Sequence, residues 1–116
     1  MNVDLGYVET IREAALALVE HVGGYSQVSF DLDRKTRSAV LYEIVVIGEG
    51  VKRLSVEFRA RHPVVAWKRI AGMRDRVVYS FDEVDLRLIW DVAQSHAPKL
   101  ILDLGQIEAQ EKEQSP

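Results

Sequence analysis

Apolar residues recur at alternating intervals of four and three through the middle of the chain, and this pattern constrains the fold more than any other feature. The six positions are Val40, Ile44, Ile47, Val51, Leu54 and Phe58. Such spacing places every member on one side of an α-helix, as a heptad repeat does. It predicts a helix over about 34–60, capped at its start by Asp31 or Asp33 and ended by Pro63.

Similar periodicity predicts further helices on both sides of this seam. The first covers 3–22 and ends at a glycine pair that begins at Gly23, because glycine adopts the left-handed cap conformation without strain. The next covers 65–78. The last follows the acidic cap at 82–85, and Pro98 is expected to kink it. No stretch of any length alternates with a period of two, so the sequence predicts an all-α bundle of four helices.

The helical pattern fades towards the C-terminus. Residues 1–104 are expected to form one helical domain, because a chain of 116 residues is long enough for a single modest core. Residues 105–116 are mostly polar and are expected to be a frayed tail.

The composition excludes several functional classes. The chain has no cysteine, which rules out disulfides and thiol catalysis and fits a cytoplasmic protein. No apolar run approaches the roughly 18–20 residues that a membrane span needs. His21, His62 and His96 share no spacing typical of metal ligands, and each can be a surface side chain. We therefore expect a cytoplasmic protein with no metal, no cofactor and no membrane partner.

The charges are distributed unevenly along the chain. Residues 52–76 carry eight lysines and arginines against two acids, a net charge of +6. Residues 82–113 carry eight acids against three lysines and arginines, a net charge of −5. The basic segment could bind nucleic acid. Charge alone favours the alternative that the two segments neutralise each other within or between chains.

The sequence IGEG at 47–50 looks like a glycine-rich phosphate loop but does not have the pattern of one. No strand precedes it, and Arg53 stands where a third glycine would fall. Two glycines inside a helix cost roughly 1 kcal/mol each, and the close approach of another helix is the usual compensation. Packing is therefore the favoured interpretation, while Glu49 falls off the main seam and could face a site.

The segment 73–85, MRDRVVYSFDEVD, has two interpretations. From the residues alone, Arg74 and Arg76 are solvated, the valines that follow are packed, and Tyr79 and Phe81 fill the turn before the last helix. The other interpretation is an active site in which key residues have been replaced.

Long stretches of the chain support the second interpretation because of a family resemblance. They are YEIVVIGEGVKRLS at 42–55, HPVVAWKRIAGMRDRVVYSFDEVDLRLIW at 62–90 and APKL at 97–100. With these stretches the chain resembles the HepT-like proteins, small helical members of the HEPN superfamily. They are usually encoded beside a minimal nucleotidyltransferase (MNT). The resemblance implies an antiparallel, HEPN-like bundle of four to five helices that forms homodimers.

The resemblance also implies an activity and a partner. Members act, or are proposed to act, as metal-independent ribonucleases and as toxins of HEPN/MNT toxin–antitoxin pairs. Their motif is an arginine, a polar residue, three more positions, a histidine, any residue and a tyrosine, and two copies meet across the dimer. The nucleotidyltransferase is the antitoxin, and in some systems it transfers AMP to the motif tyrosine, a reaction called AMPylation.

In this chain the motif is only partly present. Arg74 matches the motif arginine and Asp75 the polar position, whereas Tyr79 stands at the histidine position and Phe81 at the tyrosine position. Histidine titrates near 6.5 and suits both proton transfers of RNA cleavage, whereas a tyrosine, near 10, is a poor base at neutral pH. Phe81 has no hydroxyl group and cannot accept AMP. Arg74 can still bind phosphate through its planar fork.

These replacements lead to an expected function and an alternative. The expected function is a HepT-like toxin of the ribonuclease lineage, inactive or weakened, with RNA as its substrate class. The alternative is a non-catalytic dimeric binding partner of the nucleotidyltransferase. Glu49 and Arg76 are candidates for supporting roles.

Helix geometry adds a condition for a joint site. Positions 74 and 79 are about 140° apart around an ideal helix. A shared site therefore needs the helix to end before Tyr79 or a second subunit to complete it. The seam of the helix over 34–60 is a candidate surface for that subunit.

Overall fold

The structure, a computed structural model, describes residues 2–114, and within that range the chain is built from α-helices joined by short connections. The helices are α1 (Val3–His21), α2 (Gln27–Leu32), α3 (Arg34–Arg53), α4 (Val56–Arg61), α5 (Trp67–Ser80), α6 (Leu86–Asp91) and α7 (Ala97–Gln114). A 3-10 turn (Phe81–Glu83) follows α5, and a π-helical turn (Val92–His96) joins α6 to α7. The prediction of an all-α bundle is confirmed.

The long helix α3 lies at the centre of the bundle. It packs against α1 on one side and α5 on another, and α1 packs in turn against α7. All the residues of the heptad-like seam are buried in the core. The seam is therefore the inner face of α3 together with Leu54 and Phe58, which follow it. The expectation that it could be an exposed dimer surface is wrong, because other parts of the same chain cover it.

Two glycines allow the neighbouring helices to approach α3 closely. A Cβ atom built on Gly48 would lie 2.1 Å from the Cβ of Arg74 on α5. A Cβ atom on Gly50 would lie 2.5 Å from Cγ1 of Ile11 on α1. Neither distance is possible between real atoms, so only glycine fits at these positions. The packing interpretation of the IGEG sequence is confirmed.

The helix predicted over 34–60 is interrupted. It ends at Arg53, and α4 begins at Val56 after an extended residue, Leu54. Ser55 caps α4 by accepting a hydrogen bond from the Phe58 N–H, and its own N–H and hydroxyl both donate to the Asp4 carboxylate at 2.8 Å. The interruption thus depends on a side chain from α1, which lies far away in the sequence.

The two helix caps predicted from the sequence, one before α3 and one before α6, are confirmed. The Asp33 side chain accepts the Thr36 N–H at the start of α3, and the Asp85 side chain accepts the Arg87 N–H at the start of α6. Between α1 and α3 the short helix α2, which was not predicted, buries Phe30.

The C-terminal part of the chain is helical and not frayed over residues 105–114. α7 continues to Gln114 and buries Ile107 and Glu111, so the core extends beyond residue 104. The sequence pattern did not predict this continuation, because a charged residue, Glu111, stands at a buried position. The remaining part of the predicted tail, 115–116, lies outside the described residues. Pro98 is accommodated by the π-helical turn, in which the Ala97 N–H donates to the Val92 carbonyl.

Candidate functional site

Arg74 lies in the middle of α5, and the stem of its side chain packs directly against Gly48 of α3. Its side chain is 19% exposed, so the guanidinium is only partly accessible to solvent. Nη2 lies 2.5 Å from Oε1 of Glu49, and Nη1 donates to Oδ1 of Asp75 at 2.9 Å. The structure thus brings three of the predicted site residues together.

Lys52 is a fourth member of this cluster, which the sequence analysis did not single out. Its Nζ donates to the same Oδ1 atom of Asp75 at 2.5 Å. Lys52 follows Glu49 by three residues, which places both on one face of α3, and this spacing is the signal that could have identified it. We call Glu49, Lys52, Arg74 and Asp75 the Arg74 network.

The charges in the Arg74 network are balanced. The pKa of Asp75 is below its ordinary value, chiefly because Lys52 donates a hydrogen bond to it and secondly because Arg74 does. The pKa of Arg74 is raised, chiefly by the hydrogen bond to Asp75, with burial opposing and Glu49 adding to the effect. The formal charges of the two carboxylates and the two basic side chains cancel.

Tyr79 and Phe81 do not fill the turn before α6. Tyr79 is 80% exposed in the last turn of α5, and Phe81 is 69% exposed in the 3-10 turn that follows. The interpretation from residues alone is wrong for both aromatic side chains. It is correct for Val77, which is buried, but not for Val78, which is partly exposed.

The helix α5 continues through Tyr79 and ends at Ser80, so a shared site cannot depend on a helix that ends before Tyr79. Arg74 and Tyr79 therefore lie about 140° apart around the helix axis. Arg76 is also exposed and precedes Tyr79 by three residues, which places these two on one face. The backbone positions of Arg74 and Tyr79 thus lie on different faces of α5, while the Tyr79 phenol contributes, as the last of the causes, to the raised pKa of Arg74.

A second polar cluster connects the end of α4 with α7. Glu111 is buried and accepts hydrogen bonds from Arg61 Nε and Nη2 at 3.2 and 3.0 Å, and its Oε2 lies 2.6 Å from Nε2 of His62. The hydrogen bond from Arg61 is the main reason why the pKa of Glu111 is lowered, and burial opposes it. His62 is itself buried, so the expectation of a surface histidine is wrong for this residue.

An apolar cavity of about 390 Å³ opens between α3, α5, α6 and α7. It exists because α5 packs on α3 but makes few close contacts with α7. Its apolar lining includes Ile44, Ile47, Ile70, Met73, Leu88 and Val92. Arg69, Lys99 and Asp103 lie at its border, and the last two are paired at 2.7 Å.

The described residues offer neither a metal centre nor a membrane span. Residues 2–114 contain no group of three or more histidine, cysteine, aspartate or glutamate side chains placed to hold a metal ion. Over the same range, none of the helices has both the length and the apolar character needed to cross a membrane.

The chain is a small all-α bundle in which an arginine of α5 packs over a glycine of α3. The protein-family model described as "Ribonuclease HepT-like" matches residues 11–107. The chain belongs to the HepT-like ribonuclease family. The match spans both the Arg74 network and the segment that carries Tyr79 and Phe81.

Curated relatives agree with this assignment. "Putative RNase TTE0752" of Caldanaerobacter subterraneus subsp. tengcongensis is 37% identical over 112 residues, which cover 97% of this chain and 100% of that protein. "Probable ribonuclease HepT" of Thermococcus cleftensis is 32% identical over 81% of this chain and 86% of its own length. "Putative RNase MJ0127" of Methanocaldococcus jannaschii is 35% identical over 87% of this chain and 84% of its own length. No solved structure matches the chain.

Proposed function

We propose that this chain is the toxin component of a HEPN/MNT toxin–antitoxin pair, with a ribonuclease site that is inactive or strongly weakened. The observation that carries the proposal is the contrast inside one helix. Arg74 is held in a network of ion pairs over α3, whereas the histidine position is occupied by Tyr79, an exposed phenol. The phosphate-binding group is kept, and the group for proton transfer is missing.

The chemistry of RNA cleavage explains why this contrast matters. Without a metal, cleavage needs a base that removes the proton of the 2′-hydroxyl and an acid that protonates the leaving oxygen. Histidine can do both at neutral pH, and a tyrosine cannot serve as an efficient base there. Arg74 and Asp75 would bind and orient the phosphate, and Tyr79 could donate a hydrogen bond to it.

The proposal includes a homodimer whose two motif segments together form the site. Within a single chain, the backbone positions of Arg74 and Tyr79 lie about 140° apart around α5. The exposed side chains of Val78, Tyr79 and Phe81 form an apolar stretch at the end of this helix. Exposed apolar stretches of this kind are typical of protein interfaces, so a second copy could cover this surface.

The second candidate function is that of a non-catalytic, dimeric binding partner of a minimal nucleotidyltransferase. The replacements at Tyr79 and Phe81 favour it, because they leave neither the motif histidine for proton transfer nor the motif hydroxyl to which AMP could be transferred. The apolar cavity between α5 and α7 offers a surface for such a partner. In this role the basic segment 52–76 would face RNA, a nucleotide or an acidic surface of the partner.

A comparison of two purified proteins tests the main proposal. The chain and its Tyr79→His, Phe81→Tyr double variant are incubated with labelled cellular RNA and a chelator of divalent metals. We expect cleavage by the double variant only, and no cleavage when Arg74→Ala is added to it. If a folded, dimeric double variant leaves the RNA intact, the binding function becomes the better account. Co-purification with the nucleotidyltransferase then tests that function directly.

A further inference from the structure

We infer that Glu49 is an internal competitor for the anion site at Arg74. Its carboxylate occupies the part of the guanidinium that a phosphodiester would bind, and it must move away before such a ligand can enter. This inference rests on the proposed function where it concerns RNA, but it also applies to any phosphate ligand.

Both terminal nitrogens of Arg74 are already engaged by carboxylates of the same chain. Nη2 is engaged by Glu49 and Nη1 by Asp75. Nε is buried and has no hydrogen-bond partner among the described residues, so a ligand cannot reach the guanidinium from that side. An incoming phosphate that binds through the planar fork therefore competes with one of the two carboxylates for a terminal nitrogen.

Glu49 is the carboxylate that can leave. Asp75 is held by Lys52 as well as by Arg74, so its departure would break two ion pairs. Glu49 makes one ion pair within the described residues, with Arg74, and 41% of its side chain is exposed. Since Gly48 fixes the stem of Arg74 against α3, the arginine cannot follow Glu49 into solvent.

The charge balance supports the same conclusion. With Glu49 in place, the Arg74 network carries no net charge and offers little attraction to an anion. When Glu49 turns away, Lys52 and Arg74 face one carboxylate, and the site becomes positive. Neighbouring Arg53 and Arg76 are exposed and add to that potential.

The opposite role would give the opposite result. If Glu49 were a positioning residue that holds Arg74 in its productive orientation, removing its charge would weaken phosphate binding. If it is a competitor, removing its charge strengthens phosphate binding. The sign of the change therefore distinguishes the two roles.

The test uses Glu49→Gln, which keeps the shape of the side chain and removes its charge. Glu13→Gln is the matched control, because Glu13 is exposed on α1 and the same net charge is lost. The first readout is the binding of inorganic pyrophosphate. It is monitored through the NMR signal of the Arg74 Nε–H group as pyrophosphate is added. Arg74→Ala identifies that signal by its loss.

We expect Glu49→Gln to bind pyrophosphate about three- to tenfold more tightly than the unchanged chain, because a partly exposed charge that competes with the ligand is removed. Glu13→Gln should bind as the unchanged chain does. Weaker binding by Glu49→Gln, or equal binding, would overturn the inference. So would an Arg74 signal that does not respond to pyrophosphate in any variant.

The second readout separates the inference from the proposed function. Binding of a fluorescent single-stranded RNA is measured by anisotropy at low salt without metal. A matching gain for Glu49→Gln, abolished in the Glu49→Gln, Arg74→Ala variant, supports both. A gain for pyrophosphate without any RNA binding supports the competitor role of Glu49 and contradicts the proposed RNA-related function.

Discussion

Gly48 and Arg74 are in such close contact that α3 and α5 meet without an intervening side chain. A Cβ on Gly48 would lie 2.1 Å from the Arg74 Cβ and 2.6 Å from its Cγ. The glycine thus fixes the position of the stem of Arg74, while Glu49 and Asp75 fix the position of its guanidinium. One contact between two helices determines both the packing of the bundle and the place of its candidate phosphate-binding group.

The first prediction concerns this contact. Gly48→Ala should lower the free energy of unfolding by about 2 kcal/mol, because the methyl group forces α3 and α5 apart. Gly72→Ala is the matched control: Gly72 is exposed on α5 with nothing within 4 Å of its added Cβ, so alanine should stabilise the protein by about 0.5–1 kcal/mol. Urea unfolding measures both. An unchanged stability of Gly48→Ala would contradict the tight contact.

The second prediction concerns Glu111. Glu111→Gln should lower the free energy of unfolding by about 2 kcal/mol at pH 7, since the buried carboxylate accepts charged hydrogen bonds from Arg61 and lies beside His62. Because its pKa is lower in the folded state, this contribution is present above the ordinary glutamate pKa of about 4.3. It is lost as the pH falls through the folded-state value.

Urea unfolding of the chain and of Glu111→Gln across pH 2–7 checks this prediction. The difference between the two proteins should be constant near neutral pH and should shrink below about pH 4. Glu113→Gln is the control, because Glu113 is exposed on the same helix and should show little effect at any pH. A difference that grows in acid would contradict the assigned direction of the pKa shift.

The features that could be predicted from the sequence are those that depend on neighbouring residues. The seam of α3 repeats every three to four positions, so its burial could be predicted from the spacing alone. The same holds for the need of a close helix contact at the IGEG sequence and for the Asp33 and Asp85 caps. The position of Arg74 in a helix followed from the same reasoning.

The features that could not be predicted depend on residues far apart in the chain. The break after Arg53 is stabilised by Asp4, which lies 51 positions before Ser55. From the sequence, Glu111 is expected to face solvent, because its contacts with Arg61 and His62 are not visible in the local pattern. The pairing of Lys52 with Asp75 is likewise a contact between two helices, and no local pattern determines it.

The third prediction concerns the exposed aromatic side chains. Tyr79→Ala and Phe81→Ala should each change the free energy of unfolding of a monomer by less than about 0.5 kcal/mol, since neither ring is packed within its own chain. Val77→Ala, on the buried side of the same helix turn, should cost about 1–2 kcal/mol. Chemical denaturation at low protein concentration measures these values.

The same substitutions should act differently on assembly. If a second copy covers this surface, the Tyr79→Ala, Phe81→Ala double variant should dissociate at a higher protein concentration than the unchanged chain, while Val77→Ala should not. Light scattering over a concentration series provides the measurement. A strictly monomeric chain at micromolar concentration would refute the homodimer and the site shared between two copies.

The fourth prediction concerns the pH dependence of the restored site. The Tyr79→His, Phe81→Tyr variant should cleave RNA with a rate that rises as the pH passes about 6.5, because the base form of histidine then accumulates. The gain over the unchanged chain should be about 10²–10⁴-fold, the usual range for a positioned acid–base group.

Tyr79→Gln, Phe81→Tyr is the matched control, since glutamine approximates the size of histidine but cannot transfer a proton. Equal cleavage by the glutamine variant would show that the activity does not come from histidine. A pH-independent rate of the histidine variant would show that proton transfer at position 79 does not limit the reaction.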